Sequence, residues 1–142
     1  MLKLLIPVDG STNAQRVVSR TIRFLQNDCP AVEVHVLNVQ SPIEAWEVKR
    51  FIPETEIEAL LQSRGGDALA AARALLDEAN IAYTPHVRIG PVAETIVEFA
   101  RETGCNHIVM GTRGMGAVGT LLLGSVATKV IHLADVPVTL VK

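Results

Sequence analysis

The glycines near the C-terminus have the types and spacing of residues that bind phosphate. An apolar run at 106–110 leads into Gly111, and a glycine-rich loop separates it from a helical pattern that begins at Ser125. Glycine lets the backbone approach a ligand closely, and the N–H groups at a helix start favour an anion. The segment therefore predicts a cradle for the phosphates of a nucleotide, such as a nucleoside triphosphate.

Two common phosphate motifs match this loop only in part. Gly114 and Gly119 fit the outer glycines of a P-loop, but Thr120 stands where that motif requires lysine. The run at 114–119 also fits G-x-G-x-x-G of the dinucleotide fingerprint. That fingerprint needs a following βαβ unit with an acidic residue at the end of its second strand, whereas the strand that follows here ends in Lys142. Neither motif is therefore assigned.

Strand and helix patterns alternate along the rest of the chain. Apolar, β-branched runs predict strands at 2–8, 31–39, 82–89, 106–110 and 136–141, and helical patterns lie at 12–25, 53–79, 92–103 and 125–133. A loop is expected before the long helix, and the Gly65-Gly66 pair is expected to kink or break that helix. Continuous apolar strands predict an α/β, doubly wound parallel sheet covered on both faces, with ligands beyond the carboxyl ends of its strands.

Length and composition narrow the class of protein. The 142 residues are expected to form one domain, 1–142. A net charge of −2 with interspersed acids and bases argues against nucleic acid as a direct partner. No uncharged apolar run approaches the roughly 20 residues of a membrane span, so no membrane association is expected. Cys29 and Cys105 fit no metal spacing and are expected to be reduced thiols of a cytoplasmic protein.

A third glycine pattern fits the C-terminal segment, and other motifs accompany it. The pattern is Gly-x2-Gly-x9-Gly-Ser, formed by Gly111, Gly114, Gly124 and Ser125. The accompanying motifs are Pro7-Val8-Asp9-Gly10-Ser11, Leu37-Asn38-Val39 and Gly90-Pro91-Val92-Ala93-Glu94. With these motifs the chain resembles the universal stress protein family over essentially its whole length.

The resemblance implies a fold, an assembly and a ligand. The fold is an open five-stranded parallel sheet in the order 3-2-1-4-5 with helices on both faces. The assembly is a homodimer, and the ligand is ATP, since the branch of the family with this glycine motif binds ATP. No lysine falls on the matched positions, so a divalent cation, Mg or Mn, is expected to neutralise part of the triphosphate charge. Its protein ligands are not identified from the sequence.

The resemblance also implies which residues bind the nucleotide. Asp9 matches the acid that binds the ribose, and Val39 matches the position whose backbone meets the adenine. The phosphate-binding positions are Gly111, Gly114, Gly124, Ser125 and Val126. Flanking residues expected in the site are Pro7, Val8, Met110 and Arg113. The chemistry agrees, because a short carboxylate accepts hydrogen bonds from ribose hydroxyls and a serine at a helix start donates to an anion.

Each of these residues also has a structural interpretation. Asp9 would serve as a turn residue that accepts from nearby N–H groups. Ser125 would be the N-cap of the last helix, a role that is compatible with phosphate binding. Arg113 would be a solvated loop residue, and the whole loop would be a lid without a ligand. These alternatives stay open at the level of the sequence.

Three functional classes follow from this site. The first is an ATP-binding regulatory protein of the stress response, acting as a dimer. The second is a slow ATPase or an ATP-dependent transferase, for which no catalytic base is identified, so no catalytic residue is assigned. The third is a nucleotide-free dimeric interaction module. ATP is not distinguished from ADP, AMP or a cyclic nucleotide.

The last strand, 136–141, is the expected dimer contact. It is apolar, and in the order 3-2-1-4-5 it lies at a sheet edge, where unpaired N–H and C=O groups invite aggregation unless they are paired. Antiparallel pairing with a second copy about a two-fold axis would satisfy them. Pro137 lacks an N–H, so Thr139 is expected to donate at this edge.

Overall fold

The computed structural model describes residues 1–28, 31–113 and 123–142. The strands are β1 (Leu2–Pro7), β2 (Val32–Gln40), β3 (Thr84–Ile89), β4 (His107–Gly111) and β5 (Val138–Val141). The helices are α1 (Thr12–Asp28), α2 (Trp46–Phe51), α3 (Glu54–Glu78), α4 (Val92–Thr103) and α5 (Ser125–Leu133). The five strands form one sheet in the order β3-β2-β1-β4-β5, and every neighbouring pair is parallel. The predicted fold and strand order are confirmed.

The sheet has an apolar core on each face. Side chains of successive strand residues point to opposite faces, so an apolar run such as Leu4-Leu5-Ile6 supplies both cores. The core under α1 and α3 includes Leu4, Ile6, Val17, Val36, Leu69 and Leu76. The core under α4 and α5 includes Leu5, Leu37, Ile96, Phe99, Ile108 and Val130. Among the helices of the described ranges, none combines the length and apolar character needed to cross a bilayer.

The segment between β2 and α3, predicted as a loop, contains the short helix α2. The carbonyl of Ala45 accepts from the N–H groups of Val48 and Lys49, which closes the first turn. The aromatic rings of Trp46 and Phe51 on α2 are 62% and 77% exposed. Six residues are too few to show a helical period in sequence, because a helix is recognised over a window of about 11 residues or more.

Helix α3 runs without interruption through the glycine pair, so the predicted break is wrong. Gly65 is buried, and a Cβ added to it would lie 2.4 Å from Cγ1 of Val87 on β3. The missing side chain therefore lets α3 pack closely on the sheet. Gly66 is exposed, and a Cβ added there would meet nothing within 4 Å.

These two neighbouring glycines should respond to alanine in opposite ways. Gly66→Ala is expected to raise the free energy of unfolding by up to about 1 kcal/mol, because alanine is the better helix former. Gly65→Ala is expected to lower it by about 1–3 kcal/mol, because the new methyl group overlaps Val87. Urea titrations of the two variants and the wild type measure both effects. Equal effects of the two substitutions would contradict the close packing of α3 on β3.

A histidine pair bridges β2 and the edge strand β3. Nδ1 of His35 and Nε2 of His86 lie 2.9 Å apart, and Nε2 of His35 lies 2.8 Å from Oε1 of Glu33. Burial lowers the pKa of His86, and the nearby charges of His35 and Arg88 lower it further. The hydrogen bond from His35 holds the pKa of Glu33 below its ordinary value.

The lowered pKa of His86 predicts a loss of stability in mild acid. Below the unfolded pKa of about 6.5 the unfolded state binds more protons at this residue than the folded state, so the free energy of unfolding falls as pH falls. Urea titrations between pH 7 and 5 should show a smaller decline for His86→Gln than for wild type. His132→Gln, the same substitution at an exposed histidine, is the matched control. A wild-type slope in His86→Gln would contradict the assignment.

Backbone hydrogen bonds fix which side of β5 faces the sheet. The carbonyls of Pro137 and Val141 accept from the N–H groups of Ile108 and Thr112, at 3.0 and 3.1 Å. In a parallel strand each residue directs its N–H and its C=O to the same side, and the side alternates from one residue to the next. Residues 137, 139 and 141 therefore face β4.

The open edge of β5 consequently belongs to the alternate residues. Val138 and Leu140 lie opposite Ile108 and Met110 in the sheet register. Because they alternate with the residues whose backbone groups bond to β4, their own N–H and C=O groups point away from β4. The expectation that Thr139 donates at this edge is wrong, since its backbone groups face β4. The strand itself begins at Val138, two residues later than predicted.

Candidate functional site

The carboxyl ends of β1, β2 and β4 surround a cavity of about 280 Å³. It lies where the strand order reverses, between strands whose connections lead to opposite sides of the sheet. The predicted binding residues that line it are Pro7, Val8, Asp9, Val39, Met110, Gly111, Arg113, Gly124, Ser125 and Val126. Gly114, the remaining predicted residue, lies outside the described ranges. The structure thus brings together residues that are far apart in sequence, while their contact with a ligand stays a prediction.

Asp9 lies in the tight turn that joins β1 to α1. Its Oδ1 accepts from the backbone N–H of Ser11 at 3.0 Å, and Oγ of Ser11 accepts from the N–H of Ala14 at 3.1 Å, which caps α1. Gly10 has φ +83°, and a Cβ added there would lie 3.2 Å from Cα of Ala68 on α3. The carboxylate therefore has the turn role that was one interpretation of the sequence, and Asp9 also lines the cavity.

The backbone of Val39 lies beside the end of β1. The carbonyl of Leu37 accepts from the N–H of Val8 at 2.9 Å, so Leu37 faces β1, and Val39, two residues on, faces the same side. Because β1 ends at Pro7, the N–H and C=O of Val39 point past the last residue of that strand. This orientation suits a ligand whose edge both donates and accepts hydrogen bonds.

Apolar side chains that the sequence analysis did not assign to the site form part of the wall. They are Ala14, Leu37, Val92, Ile96 and Ala127, and the other unassigned lining residues are Asn38 and Thr112. Val92 follows the Gly90-Pro91 turn at the start of α4, and its motif was available as a signal in the sequence. Ile96 lies one helical turn later and gives no local signal, because its place at the cavity depends on the packing of α4 on the sheet.

The start of helix α5 also lines the cavity. Its N-cap is Gly124, so the interpretation of Ser125 as the N-cap is wrong: Ser125 is the first helical residue. The N–H of Gly124 donates to the carbonyl of Thr112, which ties the helix start to the segment after β4. Within the described ranges no side chain caps this helix, and its first turn holds no acid. As far as the described residues extend, the first-turn N–H groups and the positive end of the helix dipole are thus available to an anion.

Two ion pairs connect α4 to the C-terminal helix and the turn after it. Nζ of Lys129 lies 2.6 Å from Oε1 of Glu94, and Nε of Arg101 lies 2.6 Å from Oδ2 of Asp135. These hydrogen bonds lower the pKa of both carboxylates. The pairs are exposed and stabilise little. The side chains that α5 buries are those of Ala127 and Val130.

Charged groups are few around the cavity. Asp9 is the acidic residue and Arg113 the basic residue among its lining side chains in the described ranges, and Arg113 makes no ion pair with another described residue. No three His, Cys, Asp or Glu side chains of the described ranges come together as a metal site.

The fold and the cavity define an open, doubly wound α/β protein with a ligand crevice at its switch point. The sequence model of the universal stress protein family matches residues 1–142. The chain therefore belongs to the universal stress protein family.

Known relatives resemble the chain over nearly its full length. Universal stress protein MJ0531 of Methanocaldococcus jannaschii is 32% identical, covering 99% of this chain and 81% of the relative. The solved structure of hypothetical protein MJ0577 has a TM-score of 0.81 at 28% identity, covering 99% of this chain and 94% of the other. The universal stress protein of Archaeoglobus fulgidus in complex with dAMP has a TM-score of 0.70 at 25% identity, covering 100% and 98%.

Proposed function

We propose that this protein binds ATP, together with Mg or Mn, and acts as a dimeric regulatory protein of the stress response. The observation that carries the proposal is that Asp9, Val39 and the start of α5 at Gly124 and Ser125 line one and the same cavity. Membership of the universal stress protein family supports it. The relative from Archaeoglobus fulgidus, solved in complex with dAMP, supports an adenine nucleotide as the ligand.

Each wall of the cavity suits one part of the nucleotide. The carboxylate of Asp9 would accept from the ribose hydroxyls, and the N–H and C=O of Val39 would pair with the adenine edge. The apolar side chains of Val92 and Ile96 suit the faces of a flat ring. The open N–H groups at the start of α5 would receive the phosphates, with Ser125 as a further donor. Gly111 and Gly114 would let the loop backbone approach the same phosphates.

The divalent cation follows from the shortage of positive charge. Arg113 is the cationic side chain among the described lining residues, which is too little for a triphosphate. Mg and Mn bind phosphate oxygens and keep several waters, so the cation needs no cluster of protein carboxylates.

A regulatory role accounts for the cavity better than catalysis does. Phosphoryl transfer needs a residue that positions the nucleophile and cationic groups that stabilise the leaving charge. Asp9, the acidic residue among the described lining side chains, already holds the N–H of Ser11 through one of its oxygens in the β1–α1 turn. The ATPase or transferase and the nucleotide-free module are the two alternatives that the following experiments address.

Binding is tested by calorimetric titration of the purified protein with Mg-ATP. Asp9→Asn keeps one oxygen for the N–H of Ser11 but removes the charge, so the turn should persist while ribose binding weakens. The affinity should fall roughly 10- to 100-fold, the usual effect of losing a hydrogen bond to a charged group. Asp28→Asn, at the exposed end of α1, is the matched control. If the wild type shows neither heat of binding nor thermal stabilisation at millimolar Mg-ATP, the proposal is contradicted and the nucleotide-free interaction module is favoured.

Turnover separates the regulator from the enzyme. Phosphate release under multiple-turnover conditions should stay well below the 1–10³ per second that is typical of enzymes. Release at such a rate, abolished in Asp9→Asn, would favour the ATPase or transferase instead.

The proposed homodimer forms through the edge strand β5. Val138 and Leu140 carry the outward N–H and C=O groups, and a second copy paired antiparallel about a two-fold axis would bond to them. Pairing would also cover an apolar edge that is otherwise prone to aggregate.

A further inference from the structure

A buried amide joins the end of β2 to the turn that carries Asp9. Asn38 is 2% exposed, and its Nδ2 donates to the carbonyl of Val8 at 2.8 Å. Val8 directly precedes Asp9, so this hydrogen bond fixes the peptide unit from which the carboxylate projects. Asn38 also lies beside Val39 in the chain and lines the cavity.

A second amide fixes the orientation of the first. Nε2 of Gln40 donates to Oδ1 of Asn38 at 2.7 Å, which leaves Nδ2 of Asn38 directed at Val8. The backbone carbonyl of Gln40 accepts from the N–H of Gly90 at 3.0 Å, at the turn where α4 begins. The Asn38–Gln40 pair thus contacts the β1–α1 turn on one side and the β3–α4 turn on the other.

We propose that Asn38 and Gln40 are positioning residues that set the nucleoside end of the site. They act through Val8, by fixing the distance between the Asp9 carboxylate and the backbone of Val39. The inference rests on the proposed function, since the two positioned groups are those assigned to ribose and adenine. A buried hydrogen bond is well suited to this task, because the Val8 carbonyl would lose a buried partner if the turn moved away.

The pair should affect one end of the ligand and not the other. The phosphates are assigned to the start of α5. This helix packs on α4, and its N-cap is hydrogen-bonded to Thr112, the residue that follows β4. Neither Asn38 nor Gln40 has a hydrogen bond to that helix among the described residues. Loss of the pair should therefore lower the affinities for adenosine, AMP and ATP by the same factor and leave the affinity for inorganic tripolyphosphate unchanged.

Two near-isosteric substitutions remove the donors without adding charge. Asn38→Leu removes the bond to Val8, and Gln40→Met removes the bond that orients Asn38 while keeping the backbone contact with Gly90. The exposed amides provide matched controls, Asn27→Leu and Gln62→Met. Affinities for adenosine, AMP, Mg-ATP and tripolyphosphate are measured by calorimetry, with tripolyphosphate also used as a competitor of ATP. We expect a loss of roughly tenfold for the three nucleoside ligands in Asn38→Leu and a smaller loss in Gln40→Met.

A double-mutant cycle distinguishes positioning from a merely structural role. If Asn38 acts by positioning Asp9, then Asn38→Leu should have little further effect on adenosine binding once Asp9→Asn is present. Combined with Ser125→Ala, its effect on Mg-ATP binding should be additive, because Ser125 is assigned to the other end of the ligand. Gln40→Met is combined with Asp9→Asn and with Ser125→Ala in the same way, so the test can still be made if Asn38→Leu does not fold.

The outcomes separate the inference from the proposed function. Absence of binding of every adenine ligand to the wild type would overturn both. Wild-type binding that Gln40→Met and Asn38→Leu leave unchanged would overturn the inference alone. Equal losses for adenosine and tripolyphosphate, or additivity with Asp9→Asn, would also overturn it.

Discussion

Replacing Gly111 with valine should reduce the affinity for Mg-ATP by roughly 10- to 100-fold while the sheet remains folded. A Cβ at this residue would lie 3.1 Å from the carbonyl oxygen of Arg113 and 3.4 Å from Cγ2 of Val17. The first contact is tighter than ordinary packing, and a β-branched side chain adds a further clash. The segment that leaves β4 must therefore move. Overpacking of this kind costs about 1–3 kcal/mol of folding stability. The expected loss of affinity comes from the displaced backbone, which would lose about one hydrogen bond to a charged phosphate.

The matched control for this experiment is Gly66→Val. It makes the same change of residue on α3, where an added Cβ meets nothing within 4 Å, and it should bind Mg-ATP like the wild type. Calorimetry gives the affinities, and circular dichroism with thermal melting confirms that both variants fold. Wild-type affinity in a folded Gly111→Val variant would exclude this segment from the phosphate site.

Replacing Val138 with proline should convert a dimer into a monomer. Val138 directs its N–H to the open edge of β5, and proline has no N–H to donate. Light scattering at micromolar protein should give twice the chain mass for the wild type and the chain mass for Val138→Pro. The backbone bonds of β5 to β4 come from the alternate residues, so the fold should survive the change.

Val138→Ala is the control for the dimer experiment, because it shortens the side chain but keeps the N–H. It should remain dimeric. A monomeric wild type would contradict the dimer, and a fully dimeric Val138→Pro would move the interface to another surface.

The sequence predicted the parts of the site that depend on local chemistry. The turn at Asp9 and the glycine and serine at the start of α5 are recognisable because a tight turn and a helix start impose their own residue preferences. The strand order came from the family resemblance, since strand runs alone do not determine which strands are neighbours. The structure confirmed that order and brought the two segments to one cavity.

What the sequence could not predict depends on contacts between distant segments. The Gly65-Gly66 pair was expected to kink or break α3, because the contact that requires a glycine at residue 65 is with Val87 on β3 and not within the helix. Thr139 was wrongly expected to donate at the open edge, because only the pairing of β5 with β4 determines which residues of β5 point their backbone groups outward. Asn38 belongs to the Leu37-Asn38-Val39 motif, but its structural role depends on a hydrogen bond to the Val8 carbonyl, 30 residues away in sequence.

The central position of β1 has a consequence for the order of folding. Its pairing with β2 joins nearby segments, whereas its contact with the start of β4 joins Lys3 to Asn106 across 103 residues. Closing that long loop carries the larger entropic cost, so the β1–β4 seam is expected to form late. The residue proposed to bind ribose, Asp9, follows β1, and the residues proposed to bind the phosphates follow β4, so the proposed ligand would contact both strands of this seam. A nucleotide that contacts both strands would bind only the state in which β1 and β4 are paired. We therefore expect a bound nucleotide to slow global unfolding and to protect the β1–β4 amides from hydrogen exchange.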